Sequence, residues 1–225
     1  MSRVAPHCET CREVIPPKLT APLSPLIGAW GARYRPSAAW SRLDTTSSPP
    51  DAARGAGADY ESRAATAPTA AEAQRFLREW RRREMLRIAW RDIAGRAGVT
   101  ETLAALSDLA DSCVRAAVLA AQLQLETVFG KPRAANGEGV PLIVLGMGKL
   151  GGRELNFSSD IDLVLLFAQA GETDGPRSIA NEEYFNRLGR EFIRLLDART
   201  EDGFVFRVDM RLRNPWVRAR FRVFG

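Results

Sequence analysis

VPLIVLGMGKLGGRELNFSSDIDLVLLF, residues 140–167, decides the reading of this chain. Two apolar runs, 142–145 and 163–167, have the length and composition of strands. Between them lie Gly146, Gly148, Gly151 and Gly152, a lysine, and Ser-Ser-Asp-Ile-Asp. A strand alternates its side chains, so Asp160 and Asp162 leave on one face, about 7 Å apart at the backbone. Ile161, Leu163 and Leu165 take the other face, which suits a core. Two carboxylates aimed together at the start of a buried strand repel each other and lose hydration. A divalent cation between them would offset that cost; a solvent-facing or turn-capping pair is the plainer alternative. Gly151 and Gly152 would let backbone N–H groups approach an anion, at a turn that opens a short helix. Together these features suggest a nucleotide-triphosphate or phosphodiester site.

Two commoner glycine motifs fail on spacing. Residues 146–151 match G-x-G-x-x-G after a strand, but only residues 152–159 separate them from the next strand. That is too short for the crossover helix of a βαβ unit. The ribose-binding acid would fall near Leu166. A P-loop needs Gly-Lys-Ser/Thr, and Lys149 is followed by Leu150.

The segment resembles the nucleotidyltransferase superfamily, with its Gly-Gly/Ser turn before a D-x-D strand. More narrowly, GMGKLGGRELNFSSDIDL is similar to the glutamine-synthetase adenylyltransferase/deadenylylase family. LREWRRREMLRIAWRDI at 77–93 and DGFVFRVDMRLR at 202–213 extend the resemblance, which then stops at both ends. The motifs are closer to the N-terminal, deadenylylating half of such enzymes than to the adenylylating half. The fold implied is α+β: a helical segment, then a nucleotidyltransferase-type mixed sheet with flanking helices.

Composition is that of an ordinary folded chain: 225 residues, 45% hydrophobic and 26% charged, with net charge +5. The arginines are scattered, which does not indicate nucleic-acid binding. No secretory signal and no membrane-length apolar run are visible, and Cys8, Cys11 and Cys113 are too few for a disulfide framework. The chain therefore reads as cytoplasmic. His7, Cys8 and Cys11 look like half a zinc site, but four ligands are needed and only Cys113 remains, inside a helical pattern.

Residues 1–68 are rich in Ala, Pro, Ser, Arg and Gly without sustained periodicity, so they are expected to be disordered. Relatives of the resembling family are helical there, and the departure suggests a misassigned start or an out-of-frame read. A helical region is expected over 69–130. Thr69-Ala70-Ala71-Glu72 is a capping box, opening a helix to about Ile93 with Phe76, Leu77, Trp80 and Ile88 on one face. Arg78 and Arg81 to Arg83 are placed mostly elsewhere; Arg81 to Arg83 read as a solvated face or, by the resemblance, as a contact to phosphate or to the acidic site. A second helix runs from about Thr100 to Val128 on the stripe Leu103, Leu106, Ala110, Cys113, Ala117, Ala121 and Val128. Residues 134–139 read as a loop and 171–176 as a turn. Residues 181–197 form a helix with Tyr184, Phe185, Leu188, Phe192 and Leu195 inward. Residues 204–212 alternate as a strand: Phe204, Phe206, Val208, Met210 and Leu212 on one face, Val205, Arg207, Asp209 and Arg211 on the other.

From that pattern alone, Asp209 fits either an ion-pair ladder with Arg207 and Arg211 or a site residue. The resemblance favours the second, because nucleotidyltransferases of this class take a third carboxylate from an adjacent strand. It implies a catalytic core over 140–213 in which Asp160, Asp162 and Asp209 hold Mg²⁺ or Mn²⁺. Lys149, Gly151, Gly152, Ser159 and Arg211 would then bind ATP or ADP. The implied reaction is removal of an adenylyl group from glutamine synthetase, by phosphorolysis of AMP-tyrosine to ADP, or its addition. A PII-type signalling protein is the further partner, with no nucleic acid or membrane. Residues 214–225 have no place in the family pattern, so a frameshift or fragment boundary after Arg213 is expected. The alternative is an inactive remnant that only binds nucleotide, glutamine synthetase or a PII-type protein.

Overall fold

A computed structural model describes residues 62–63, 66–67, 69–201 and 203–209. The expected disordered tail, the half zinc site and the segment from Met210 onward lie outside these residues, apart from a few positions near 62–67. The fold is α+β, as the sequence predicts: two long helices precede a mixed three-stranded sheet and a small two-stranded one.

Helix α1 spans Ala70–Ile93. Its capping box forms: Thr69 Oγ1 accepts the Glu72 N–H at 3.2 Å and donates to the Glu72 carboxylate at 3.0 Å. Leu77, Trp80 and Ile88 are buried as expected. Arg78 is buried too, against expectation. Its guanidinium donates to the Ala198 carbonyl at 2.8 Å, and Gln74 donates to the Arg194 carbonyl at 2.7 Å. A cation at a helix C-terminus completes carbonyls that have no partner within the helix, which is why this position tolerates burial.

Helix α2 spans Val99–Phe129, and Leu106, Ala110, Cys113, Ala117 and Ala121 all face the core. Cys113 is a free buried thiol that packs as a small apolar residue. Val128 is exposed and Phe129 is buried in its place, because α2 ends against a close approach of two glycines. A Cβ on Gly130 (φ +77°) would lie 2.1 Å from Gly175 N, and one on Gly175 would lie 2.2 Å from the Phe129 carbonyl carbon.

That junction begins a small sheet that the loop and turn assignments missed. Strand β1, Pro132–Ala134, pairs antiparallel with β4, Gly171–Thr173. Asp174 fastens it, accepting the Lys131 N–H at 2.7 Å and Arg133 Nε at 2.6 Å. These bonds, the backbone one first, hold its carboxyl below the usual range. Three-residue strands carry no readable period, so tertiary contacts decide them.

The main sheet has the order β2-β3-β5, with β2 at Leu142–Met147, β3 at Ile161–Phe167 and β5 at Val208–Asp209. Strands β2 and β3 are antiparallel, while β3 and β5 are parallel. The short helix α3, Gly148–Gly151, occupies the turn after β2. Helix α4, Asn181–Asp197, carries the chain from β3 towards β5 and buries Tyr184, Phe185, Leu188, Phe192 and Leu195. Phe185 stacks on Phe167 of β3, with ring centroids 4.6 Å apart. Each such side chain contributes roughly 1.5–3 kcal/mol when fully buried.

The expected alternation over 204–212 fails before β5. Val205 and Phe206 are both buried, and both backbone N–H groups donate to the Leu196 carbonyl, at 2.9 and 3.1 Å. The segment turns around the end of α4 instead of extending. Among the described residues, strand geometry begins only at Val208.

Gly175→Ala is expected to lower stability by roughly 2–4 kcal/mol, a fall in Tm of roughly 5–15 °C, since backbone must move on both sides. Gly98→Asp, at the open and uncapped start of α2, should raise stability by roughly 0.3–1 kcal/mol. Thermal melts of the two variants check both signs.

Candidate functional site

Residues facing each other across an antiparallel pair share a face of the sheet. Gly146 faces Leu163 and Val144 faces Leu165 on the core side, while Met147 faces Asp162 on the other. Ile161, Leu163 and Leu165 are buried, and Met147 is 48% exposed. Asp162 therefore stands on the open face, at the β3 end nearest α3.

Asp209 is the direct partner of Asp162 in the parallel pair, as Val208 is of Ile161. Adjacent strands lie about 5 Å apart, so the two aspartates sit side by side on that face. Val208 and Phe206 join the core that receives Ile161 and Leu163. Asp160, just before β3, is engaged by an arginine. Arg207 Nε meets its Oδ1 at 2.5 Å, and Arg207 Nη2 donates to the Ser158 carbonyl at 2.8 Å. Among the described residues, no three His, Cys, Asp or Glu side chains are gathered closely enough to hold a metal ion. Asp162 and Asp209 are thus brought together, and Asp160 is paired with Arg207. In kind, the donors fit a hard cation: carboxylate oxygens, with no histidine or thiolate among them.

The glycines before the acidic strand have close contacts of their own. The Gly152 N–H donates to the Gly148 carbonyl at 3.0 Å, so it is engaged within α3 instead of facing an anion. A Cβ on Gly151 would lie 2.5 Å from the Gly146 carbonyl oxygen, and one on Gly146 would lie 3.1 Å from Leu150 Cγ. These two let α3 fold back on β2. Gly148 (φ +54°) lies under the site itself, where a Cβ would come within 2.8 Å of Asp162 Oδ2. Lys149 is exposed on α3, and Arg211 lies outside the described residues.

The loop between α3 and β3 is held by residues the sequence reading passed over. Asn156 Oδ1 accepts the Ser158 N–H at 3.2 Å and the Ser159 hydroxyl at 2.7 Å. Ser159, expected to bind nucleotide, gives its hydroxyl proton to this loop contact. The Asn-x-Ser-Ser pattern carries an Asx-turn signal that could have identified Asn156. Ser107 of α2 is fully buried, accepts the Leu155 N–H at 3.2 Å and donates to the Leu103 carbonyl at 2.9 Å. Arg153, at φ +58°, pairs with Asp108 at 2.6 Å. That bond and the charge of Asp108 hold its guanidinium above the usual arginine range. No local signal marks Ser107 or Asp108, because their partners lie more than forty residues along the chain.

On the core side of the sheet, a groove of about 400 Å³ separates α2 from β2. Its lining includes Val114, Val118, Leu142 and Val144 with Asp111 and Arg115. Burial lifts the Asp111 carboxyl above its usual range against the pull of Arg115 and Arg153.

A family model for glutamate-ammonia ligase adenylyltransferase matches residues 22–216. The match reaches well into the N-terminal stretch that composition had set outside the pattern. The chain is 58% identical to the bifunctional glutamine synthetase adenylyltransferase/adenylyl-removing enzyme of Thioalkalivibrio sulfidiphilus over 139 residues, 62% of this chain and 14% of that one. The similarly described enzyme of Nitrosococcus oceani is 51% identical over 147 residues, 64% of this chain and 15% of its own length. That of Shewanella oneidensis is 48% identical over 157 residues, 69% of this chain and 16% of its own length. The matched stretch is about one seventh of the length of these relatives.

Ser107→Ala would leave the Leu155 N–H buried without an acceptor, and is expected to cost about 1–3 kcal/mol. A lowered urea midpoint, with faster hydrogen exchange at the Leu155 amide, would show it. An unchanged midpoint would mean that the hydroxyl does not hold the loop.

Proposed function

The chain belongs to the glutamate-ammonia ligase adenylyltransferase family, and we propose that it carries a nucleotidyl-transfer site on the open face of its mixed sheet. The observation that supports this reading is the parallel register that sets Asp209 beside Asp162. The substrate proposed is glutamine synthetase, on which the relatives act by name. A PII-type protein as regulator, a cytoplasmic location, and a division into a helical region (69–130) and a catalytic core (140–213) belong to the same proposal. Among the described residues, no helix is long and apolar enough to cross a membrane.

Asp162 and Asp209 would hold Mg²⁺ or Mn²⁺, with Asp160 as a third ligand once released by Arg207. When bound, such a cation neutralises phosphate charge and orients the oxygens of an in-line displacement. The chain's own residues supply the rest. Gly148 leaves room for the Asp162 carboxylate, Asn156 and Ser107 hold the loop that carries Asp160, and Lys149 offers a positive charge to the nucleotide phosphates. In the deadenylylating direction, an orthophosphate oxygen forms the new bond to the α-phosphorus of AMP-tyrosine. The bond to the tyrosine oxygen breaks, and ADP is released. That nucleophile is already anionic, so no strong general base is required. In the adenylylating direction the tyrosine oxygen would bond to the α-phosphorus of ATP as the bond to pyrophosphate breaks, and the hydroxyl proton would pass to a carboxylate on this face.

A second reading, a remnant that binds nucleotide or glutamine synthetase without turnover, draws on the Asp160–Arg207 pair and the lack of a closed three-residue ligand set among the described residues.

Asp162→Asn and Asp209→Asn are each expected to weaken Mn²⁺-dependent ADP binding at least tenfold, about 1.4 kcal/mol, in titration calorimetry. Removing one of two adjacent carboxylates relieves repulsion, so Tm without metal should hold or rise. A marked loss of Tm with unchanged ADP binding would make the pair structural.

A further inference from the structure

We propose that Arg207 competes with a divalent cation for Asp160, so that this one side chain sets the metal affinity of the site; the inference rests on the nucleotidyl-transfer reading above. Arg207 holds the loop end at three points. Its carbonyl accepts the Ile161 N–H at 2.9 Å, its Nη2 donates to the Ser158 carbonyl at 2.8 Å, and its Nε meets Asp160 Oδ1 at 2.5 Å. The first of these contacts begins the parallel ladder, so the backbone of Arg207 is fixed beside Asp160 whatever its side chain does. An arginine N–H and a cation both need the carboxylate's lone pairs, and an approaching cation also meets the guanidinium charge.

The strength of the pair is as informative as its position. The Arg207 and Asp160 side chains are 46% and 52% exposed, so water screens the ion pair and its net contribution is small. A pair of this kind yields to a cation that gains several oxygen ligands at once. The freed guanidinium, two residues before Asp209 in the chain, is a planar donor fork of the kind that suits a phosphate group. One residue would thus weaken bare cation binding and strengthen binding of the cation with nucleotide.

A purely structural role makes the opposite prediction. If Arg207 only fastened the loop, its loss would loosen Asp160 and weaken cation binding. Mn²⁺ alone, followed by electron paramagnetic resonance of the full chain, separates the two. Arg207→Gln keeps a donor for the Ser158 carbonyl and removes the charge, and should bind Mn²⁺ about two- to fivefold more tightly than the parent, the scale of an exposed ion pair. Arg207→Lys keeps the charge without the fork and should fall between them, with an unchanged melting curve. At saturating Mn²⁺, Arg207→Gln should bind ADP several-fold more weakly. Equal or weaker Mn²⁺ binding by Arg207→Gln overturns the competition and leaves the carboxylate site standing. A gain that survives in the Arg207→Gln, Asp162→Asn double variant places the effect elsewhere and also overturns it. Mn²⁺ binding absent from both the parent and Arg207→Gln overturns this inference and the nucleotidyl-transfer reading together.

Discussion

The pairing of β5 beside β3 depends on helix α4 lying across the core face of the sheet. A parallel neighbour cannot be reached by a hairpin and needs a crossover, and α4 is the crossover here. Its buried stripe, from Tyr184 to Leu195, fixes where the helix ends. The Leu196 carbonyl then takes the N–H groups of Val205 and Phe206, turning the chain back towards the sheet. Only from that turn does Arg207 offer its carbonyl to Ile161. A slip of one residue in this register would send Asp209 into the core and Val208 to the open face. The core therefore determines the acidic site, through the length and packing of a helix that contributes no residue to it.

A second support comes from the helical side. Ser107 and Asp108 of α2 hold Leu155 and Arg153, so the loop carrying Asp160 is fastened to a long helix as well as to the strands. The two contacts differ in weight. The Arg153–Asp108 pair is about half exposed and contributes little net stability. The Ser107 hydroxyl serves a buried N–H that has no water to replace it, so its loss leaves a desolvated donor. Arg78 follows the same logic on α1: its bond to the Ala198 carbonyl closes the end of the crossover helix from outside the sheet.

Much of this was legible in the chain itself, where a long repeating pattern met a local signal. The strands around the acidic motif, the stripe of α2 and the inward face of α4 show a period that burial requires, and the capping box at Thr69 is a local signal. The missed features lack one. Strands β1 and β4 are three residues each, and Asp174 and the Gly130–Gly175 contact decide them. The alternating sequence around Val205 reads as strand, yet two adjacent buried residues meet the end of α4 because a turn there satisfies more backbone groups. Arg78 reads as lying off the buried face because nothing nearby shows the helix terminus it serves. Within the site, the nearness of Asp209 to Asp162 was implied by the family resemblance alone, since the pattern of residues left Asp209 open, whereas the hold of Arg207 on Asp160 had no signal at all. Two opposite charges close in space have no sequence spacing to betray them.

The glycines of the motif also take on a different meaning once their contacts are known. A run of glycines before a D-x-D suggests backbone donors facing a phosphate, but the Gly152 N–H closes the short helix instead. Gly151 and Gly146 are small because α3 folds onto the strand that precedes it, with 2.5 Å left between a would-be Cβ and the Gly146 carbonyl oxygen. Gly148 is small because the Asp162 carboxylate occupies the space a side chain would need, and its positive φ excludes most other residues even without that contact. The glycine run and the acidic strand are therefore one device, packed against each other across the β2–β3 pair. Any side chain at position 148 would be felt first as a displacement of Asp162, before any effect on an anion.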